Sequence, residues 1–182
     1  MHQETLEAAE FEAAFARHGR ALWVLAAAWV GRHDAQDLVQ ETARIAWQSR
    51  ARFVPGTDIA AWLAQIARHT GANWRRKPRP VATDPASLPE PTGCTTSWRS
   101  DPHGVDPEDL PDELAHALRA LPEAARASLL LHVVTGLTFP EIAKMLDLPE
   151  NTVTSHARRA RLSLREAMSP RATAPTPQPE AP

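Results

Sequence analysis

Asp37, Gln40, Glu41 and Arg44 stand at i, i+3, i+4 and i+7, so a helix through segment 34–47 gathers them on one polar face. A fixed face of mixed charge on a rigid helix suits docking to a protein partner. The competing reading is a solvated face laced by i,i+4 pairs. A second set lies toward the other end of the chain. Thr154, Ser155, Arg158 and Arg159 point outward on a helix whose inward positions are Val153, Ala157, Ala160 and Leu164. Arginine reads guanine edges in a major groove, and Ser or Thr reaches bases or phosphates. The competing reading there is a helical hairpin with solvated arginines. A third set is Trp74 beside Arg75, Arg76, Lys77 and Arg79. Rings next to cations suit single strands, because bases stack while cations track phosphates. Positive residues also end helices simply to complement the dipole.

Catalytic chemistry finds little support. The eight histidines show no metal-ligand spacing with one another or with Cys94. There is neither a phosphate-cradling glycine loop nor a nucleophile elbow. Asp106, Glu108, Asp109, Asp112 and Glu113 cluster as a solvated acidic run rather than as paired carboxylates. No metal, cofactor or enzymatic activity is expected.

The elements that must position these sets are helical. Hydrophobic residues make up 43% of the 182, mostly Ala and Leu, without alternating strand patterns, so the expected class is all-α. Prolines divide the chain. Pro78, Pro80, Pro85, Pro89, Pro91, Pro102, Pro107 and Pro111 exclude a continuous helix and mark a tether, and a second Pro-rich stretch forms the tail. The expected organisation is a helical domain over 1–79, a flexible linker over 80–110, a second helical domain over 111–169 and a disordered tail over 170–182.

In the first block, Phe11, Phe15, Leu22, Leu25 and Trp29 recur at helical spacing, a break falls around 31–34, and Asp34 is expected to cap the next helix. Segment 53–58 reads as a loop, with Asp58 capping a helix whose apolar stripe is Ile59, Trp62, Leu63, Ile66, Ala67 and Thr70. In the second block, Leu114, Ala117, Leu118 and Leu121 predict a short helix. Pro122 begins the next, which ends at Gly136. Thr138 and Glu141 have capping-box spacing, and Asp147, Leu148 and Pro149 form a tight turn before the Arg-bearing helix. Short helix, turn and Arg-rich helix make the helix-turn-helix pattern.

Lys plus Arg total 20 against 22 Asp plus Glu, a net charge of −2, so any DNA contact must come from local basic patches. Cys94 is alone, which excludes an internal disulfide and fits a reducing compartment. The first residues are acidic and polar, unlike a signal segment, and the most apolar stretch, 21–30, is too short to cross a bilayer. A cytoplasmic protein without membrane insertion is expected.

With both blocks in view, the chain resembles an extracytoplasmic-function (ECF) sigma factor of bacterial RNA polymerase. Asp37-Leu-Val-Gln-Glu41 looks like the polymerase-binding helix of sigma region two, and Ala61-Trp-Leu-Ala-Gln-Ile-Ala-Arg68 like the helix after the promoter-melting loop. Leu137-Thr-Phe-Pro-Glu-Ile-Ala-Lys144 and Asn151-Thr-Val-Thr-Ser155 look like the two helices of region four. The resemblance implies that Asp37, Gln40, Glu41 and Arg44 contact core polymerase. It implies minus-ten DNA contacts at Arg52, Phe53, Asp58, His69, Arg75, Arg76 and Lys77, with Trp62 positioning the loop. It implies minus-thirty-five contacts at Thr154, Ser155, His156, Arg158, Arg159 and Arg161. Promoter DNA, core polymerase and an anti-sigma factor are the implied partners, in a stress-response setting.

Four positions depart from the family pattern. His69 stands where Asn is usual, Thr154 and His156 where Lys and Arg are common, and Asp147 where the turn usually has Gly. A LuxR-type regulator also fits Thr152, Val153 and His156, but such a protein needs a receiver or ligand-binding domain in place of the Asp37–Glu41 helix. A sigma mimic that titrates regulators is the third reading, and Arg75, Arg76, Arg158 and Arg159 speak against it.

Overall fold

The computed structural model describes residues 6–76 and 111–169, and among them every regular element is helical. The first set comprises α1 (Ala8–Val30), α2 (Arg32–Gln48) and α3 (Ile59–Arg76), with a 3-10 turn at Arg50–Arg52. The second comprises α4 (Asp112–Ala120), α5 (Glu123–Thr135), α6 (Phe139–Leu146) and α7 (Glu150–Met168). The proposed linker and tail lie outside the described residues.

Gly31 makes the reversal between α1 and α2. At φ 88° it ends α1 by donating its N–H to the Ala27 carbonyl at 3.1 Å, and α2 starts at the next residue. A Cβ there would touch nothing within 4 Å, so the glycine is needed for its backbone conformation and not for space. This start corrects one expectation: Asp34 lies in the first turn of α2, nearly buried, and Gly31 holds the cap position. Asp58 does cap α3, its Oδ1 accepting the Ala60 and Ala61 N–H groups at 2.9 and 3.2 Å. Gly71 has a different purpose. A Cβ at that position would come 3.2 Å from a Leu38 methyl, so its absence lets α3 lie close against α2.

In the second set, α5 ends at Gly136 in the left-handed region. The Thr138 N–H then donates to Glu141 Oε2 at 2.8 Å, closing the capping box that opens α6, and the Thr138 hydroxyl donates to the same oxygen at 2.6 Å. The hydroxyl bond, followed by the backbone bond, holds the Glu141 carboxyl below its ordinary pKa. Asp147 takes φ 55° and ψ 49° in the turn to α7. Its short polar side chain tolerates the left-handed geometry better than most residues do.

Leu22, Leu25, Leu38 and Leu63 are fully buried in the first set, each contributing about 2 kcal/mol by leaving water. Thr42, also fully buried, satisfies its hydroxyl by donating to the Leu38 carbonyl at 2.7 Å. The two sets are in contact. Ala127, Leu131, Ile142 and Leu146 belong to the same buried cluster as Leu22, Leu25, Ala26 and Trp29. A second cluster, Leu118, Leu121, Ala125, Leu129 and Ala160, ties α4 and α5 to α7.

Candidate polymerase and DNA interfaces

The polar face of α2 is on the surface as its spacing requires. Ala35, Leu38, Val39, Thr42 and Ala46 turn inward, while Asp37, Gln40 and Arg44 are exposed and Glu41 is half-buried. Arg44 lies along the helix and donates to both Glu41 carboxylate oxygens, at 2.8 and 2.5 Å, and to Gln48 Oε1 at 3.0 Å. The Glu41 hydrogen bond raises the guanidinium above its ordinary pKa. The pair therefore orders this face, and Asp37 and Gln40 stand outward beside it. At the end of α2, Trp47 is 38% exposed, with the Arg50 guanidinium 4.1 Å from its ring centroid.

The loop after α2 is built around Phe53, whose ring packs on Trp62 at 5.2 Å. Trp62 thus holds the loop in place. Thr57 folds back onto the Val54 carbonyl through its N–H at 3.1 Å and its hydroxyl at 2.7 Å, leaving Val54 outward and 62% exposed. Between this loop and α1 lies a cleft of about 640 Å³. Phe53, Pro55, Thr57 and Ile59 line one side, and Glu10, Arg17 and His18 the other. Burial first, and then neighbouring Arg17, lowers the His18 pKa, against the opposing pull of Asp58 and Glu141.

Of the residues assigned to minus-ten contact, Arg52 and Asp58 are exposed on the loop and Phe53 is half-buried beneath it. The Asp58 carboxylate is engaged in capping α3. His69 and Arg76 are exposed on α3, and Arg75 lies on the same helix. Lys77 lies outside the described residues. Arg17 and His18 were absent from the sequence-derived set. They face the cleft from α1, some forty residues before the loop, and no local pattern links the two.

α6, the Asp147 turn and α7 form the helix-turn-helix. Val153, Ala157 and Ala160 are buried on the inner side of α7. Thr154, Ser155, Arg158, Arg159 and Arg161 are exposed, and His156 is half-buried. On a helix of 3.6 residues per turn the exposed residues share one continuous arc. Arg165 is exposed and extends it, an addition legible from its i+4 spacing to Arg161. Thr154 donates its hydroxyl to the Glu150 carbonyl at 3.0 Å, and Arg159 Nε reaches the Ser155 carbonyl at 3.4 Å. Arg158 and Arg161 thus lie on the exposed face beside a partly engaged Arg159.

Among the described residues no group of His, Cys, Asp and Glu is placed to hold a metal ion. His132, for example, is 2.9 Å through Nδ1 from the Leu137 carbonyl and stacks on Phe139 at 4.6 Å, a structural placement. No helix among the described residues is long and apolar enough to cross a membrane.

These two faces coincide with known family regions. Residues 14–80 match the model of sigma-70 region 2, and residues 112–164 that of sigma-70 region 4. The chain belongs to the sigma-70 family. The relatives it matches are ECF sigma factors. It is 30% identical over 139 residues to the ECF RNA polymerase sigma factor SigE of Mycolicibacterium smegmatis, covering 76% of this chain and 53% of that protein. The chain thus spans about half the length of that relative. It is 27% identical over 152 residues to the ECF RNA polymerase sigma-E factor of Escherichia coli K12, covering 80% of each.

Solved structures agree. CnrH, in complex with the cytosolic domain of CnrY, superposes with TM-score 0.57 at 25% identity over 88% of both chains. RpoE from Bartonella quintana, in complex with the anti-sigma factor NepR, shares the fold with TM-score 0.59 at 23% identity.

Proposed function

We propose that this chain is a promoter-recognition subunit of RNA polymerase, an initiation factor rather than a catalyst. The observation that carries the reading is the presence, in one chain, of an exposed Asp37–Gln40–Arg44 face on α2 and an exposed Arg-bearing helix-turn-helix arc on α7. Asp37, Gln40, Glu41 and Arg44 dock on core polymerase. The loop of Arg52, Phe53 and Asp58, with His69, Arg75, Arg76 and Lys77, takes the minus-ten element. Thr154, Ser155, His156, Arg158, Arg159 and Arg161 read the minus-thirty-five element. The domains run over 1–79 and 111–169, joined by 80–110 and followed by a tail over 170–182.

Mechanistically, two modest DNA grips fixed on one polymerase act together through effective concentration. The cleft between α1 and the loop offers room for an unpaired base, which offsets the cost of unstacking. Arg17 supplies a cation at its edge. His69, in place of the usual Asn, offers one ring with a donor and an acceptor. The protein acts in the cytoplasm, and its solved neighbour RpoE, crystallised with the anti-sigma factor NepR, supports an anti-sigma factor as regulator. A LuxR-type regulator is disfavoured by the region 2 match over 14–80.

Run-off transcription with purified core polymerase, with sequencing of the start sites, tests the reading. Specific starts dependent on the added chain are expected. Transcripts identical with and without it would remove the proposal.

A further inference from the structure

The charged face of α2 can orient a partner but holds it only weakly by itself. Its Glu41–Arg44 pair is open to solvent, with side chains 32% and 55% accessible. Pairs of that kind contribute little and are screened by salt. Charge across an interface mainly sets encounter rate and register. Lasting attachment needs apolar surface removed from water, concentrated on a few large side chains. α2 carries one at its end. Among the described residues the exposed large hydrophobic side chains are Trp47, Val54, Val133, Leu162 and Met168, and Trp47 is the aromatic one.

Trp47 belongs to the docking face by its position. It follows Gln40 by seven residues and Arg44 by three, so it continues the same side of the helix two turns on. Gln40, Arg44, Trp47 and Gln48 are all exposed. The ring is steadied by two neighbours. Phe11 of α1 meets it at 5.4 Å between centroids and at 64°. The Arg50 guanidinium lies 4.1 Å from its centroid, and Arg50 Nη1 donates to the Trp47 carbonyl at 2.9 Å. The ring is therefore ordered before a partner arrives, which lowers the entropy cost of binding. Both groups that Arg50 touches there are neutral, so its charge stays available to an acidic group.

We propose that Trp47, with Arg50 stacked on it, is the apolar anchor of the polymerase docking face, entering a pocket of core polymerase that is apolar at its base and acidic at its rim. The proposal rests on the docking reading of α2 above. Two features favour a protein pocket over a nucleic-acid strand. A nucleobase stacks on an open ring face, whereas Arg50 covers one face here and Phe11 crowds the ring, so that ring and cation are presented as one block. The block also continues a helix face that carries Asp37 and Glu41, whose charge repels a phosphate backbone. The face then divides its work. Asp37, Glu41 and Arg44 steer the encounter, and Trp47 slows departure.

Association and dissociation rates of the full-length chain on purified core polymerase, followed by biolayer interferometry over a salt series, separate the two roles. Trp47→Ala is expected to raise the dissociation rate about thirtyfold, the loss typical of a hot-spot side chain, and to leave the association rate within about threefold of the original. That loss should be the same at low and high salt, because it is apolar. Trp47→Phe keeps a ring under Arg50 and against Phe11, and should retain most of the affinity. Asp37→Lys with Glu41→Lys should instead slow association, most of all at low salt. Arg50→Glu should weaken binding more than Arg50→Gln, since it brings like charge to the acidic rim. Circular dichroism follows the helicity of each variant. A photoreactive benzoylphenylalanine in place of Trp47 gives a second readout that needs no truncation, and irradiation should crosslink the chain to a polymerase subunit before any DNA is added.

A Trp47→Ala chain of intact helicity with an unchanged dissociation rate overturns the anchor, as does a crosslink to promoter DNA alone or to nothing. Docking by Asp37 and Glu41 survives that outcome if their reversal still abolishes binding. Equal binding by Arg50→Glu and Arg50→Gln removes the acidic rim. An original chain that does not bind core polymerase overturns the docking reading itself.

Discussion

A carboxylate on an exposed helix becomes a recognition element when its neighbours limit where it can point. Glu41 is held in two bonds by Arg44, three residues on, and Gln48 takes the guanidinium's remaining reach. Asp37 beside them is exposed to solvent. Reversing both charges, Asp37→Lys with Glu41→Lys, is expected to weaken core polymerase binding at least tenfold, about 1.4 kcal/mol, with helicity intact. Co-purification with core enzyme checks it, and undiminished binding would remove the docking role. The choice of face was legible from spacing, because period 3.6 alone places Leu38, Val39 and Thr42 inward. The cap was not. Asp34 has the residue type of a cap, but Gly31 reaches a positive φ at little cost and starts the helix earlier.

At the scale of elements, α7 concentrates the positive charge that a chain of net charge −2 otherwise lacks. Small inner residues Ala157 and Ala160 bring it close to its supports, and Arg158, Arg159 and Arg161 occupy the outer arc. Arg158→Ala with Arg159→Ala should lower promoter-specific initiation while leaving core binding unchanged. The salt dependence of duplex binding should flatten by about one unit for each phosphate that an arginine no longer neutralises. Binding titrations over a salt series measure this, and equal loss of core binding would indicate misfolding instead. Glycine, proline and capping-box signals located the bounds of α5, α6 and α7 because each acts within a few residues. The wall that Arg17 and His18 give to the cleft was illegible, since α1 and the loop meet only through packing.

For the whole molecule, the shared core makes the two sets respond together. His18 sits where α1 meets the loop, within electrostatic range of Glu141 on α6. Its folded pKa is below the unfolded value near 6.5, so its contribution is fully present above that value and is lost as pH falls through the folded pKa. Unfolding by denaturant should show lower stability at pH 5.5 than at pH 7.5, and His18→Gln should reduce that difference. An unchanged difference would assign the acid sensitivity to other groups.

Helix class, helix faces and the Arg-bearing helix-turn-helix were all determined by residue order, because propensity, capping and periodicity act over a turn or two of chain. Which carbonyl Arg126 caps, 98 residues away, was decided only by tertiary structure. The same holds for Leu131 and Ile142 sharing a core with Leu25. Burial of apolar surface is non-directional. Residue order therefore specifies which faces need covering, and only the assembled fold determines which face covers which.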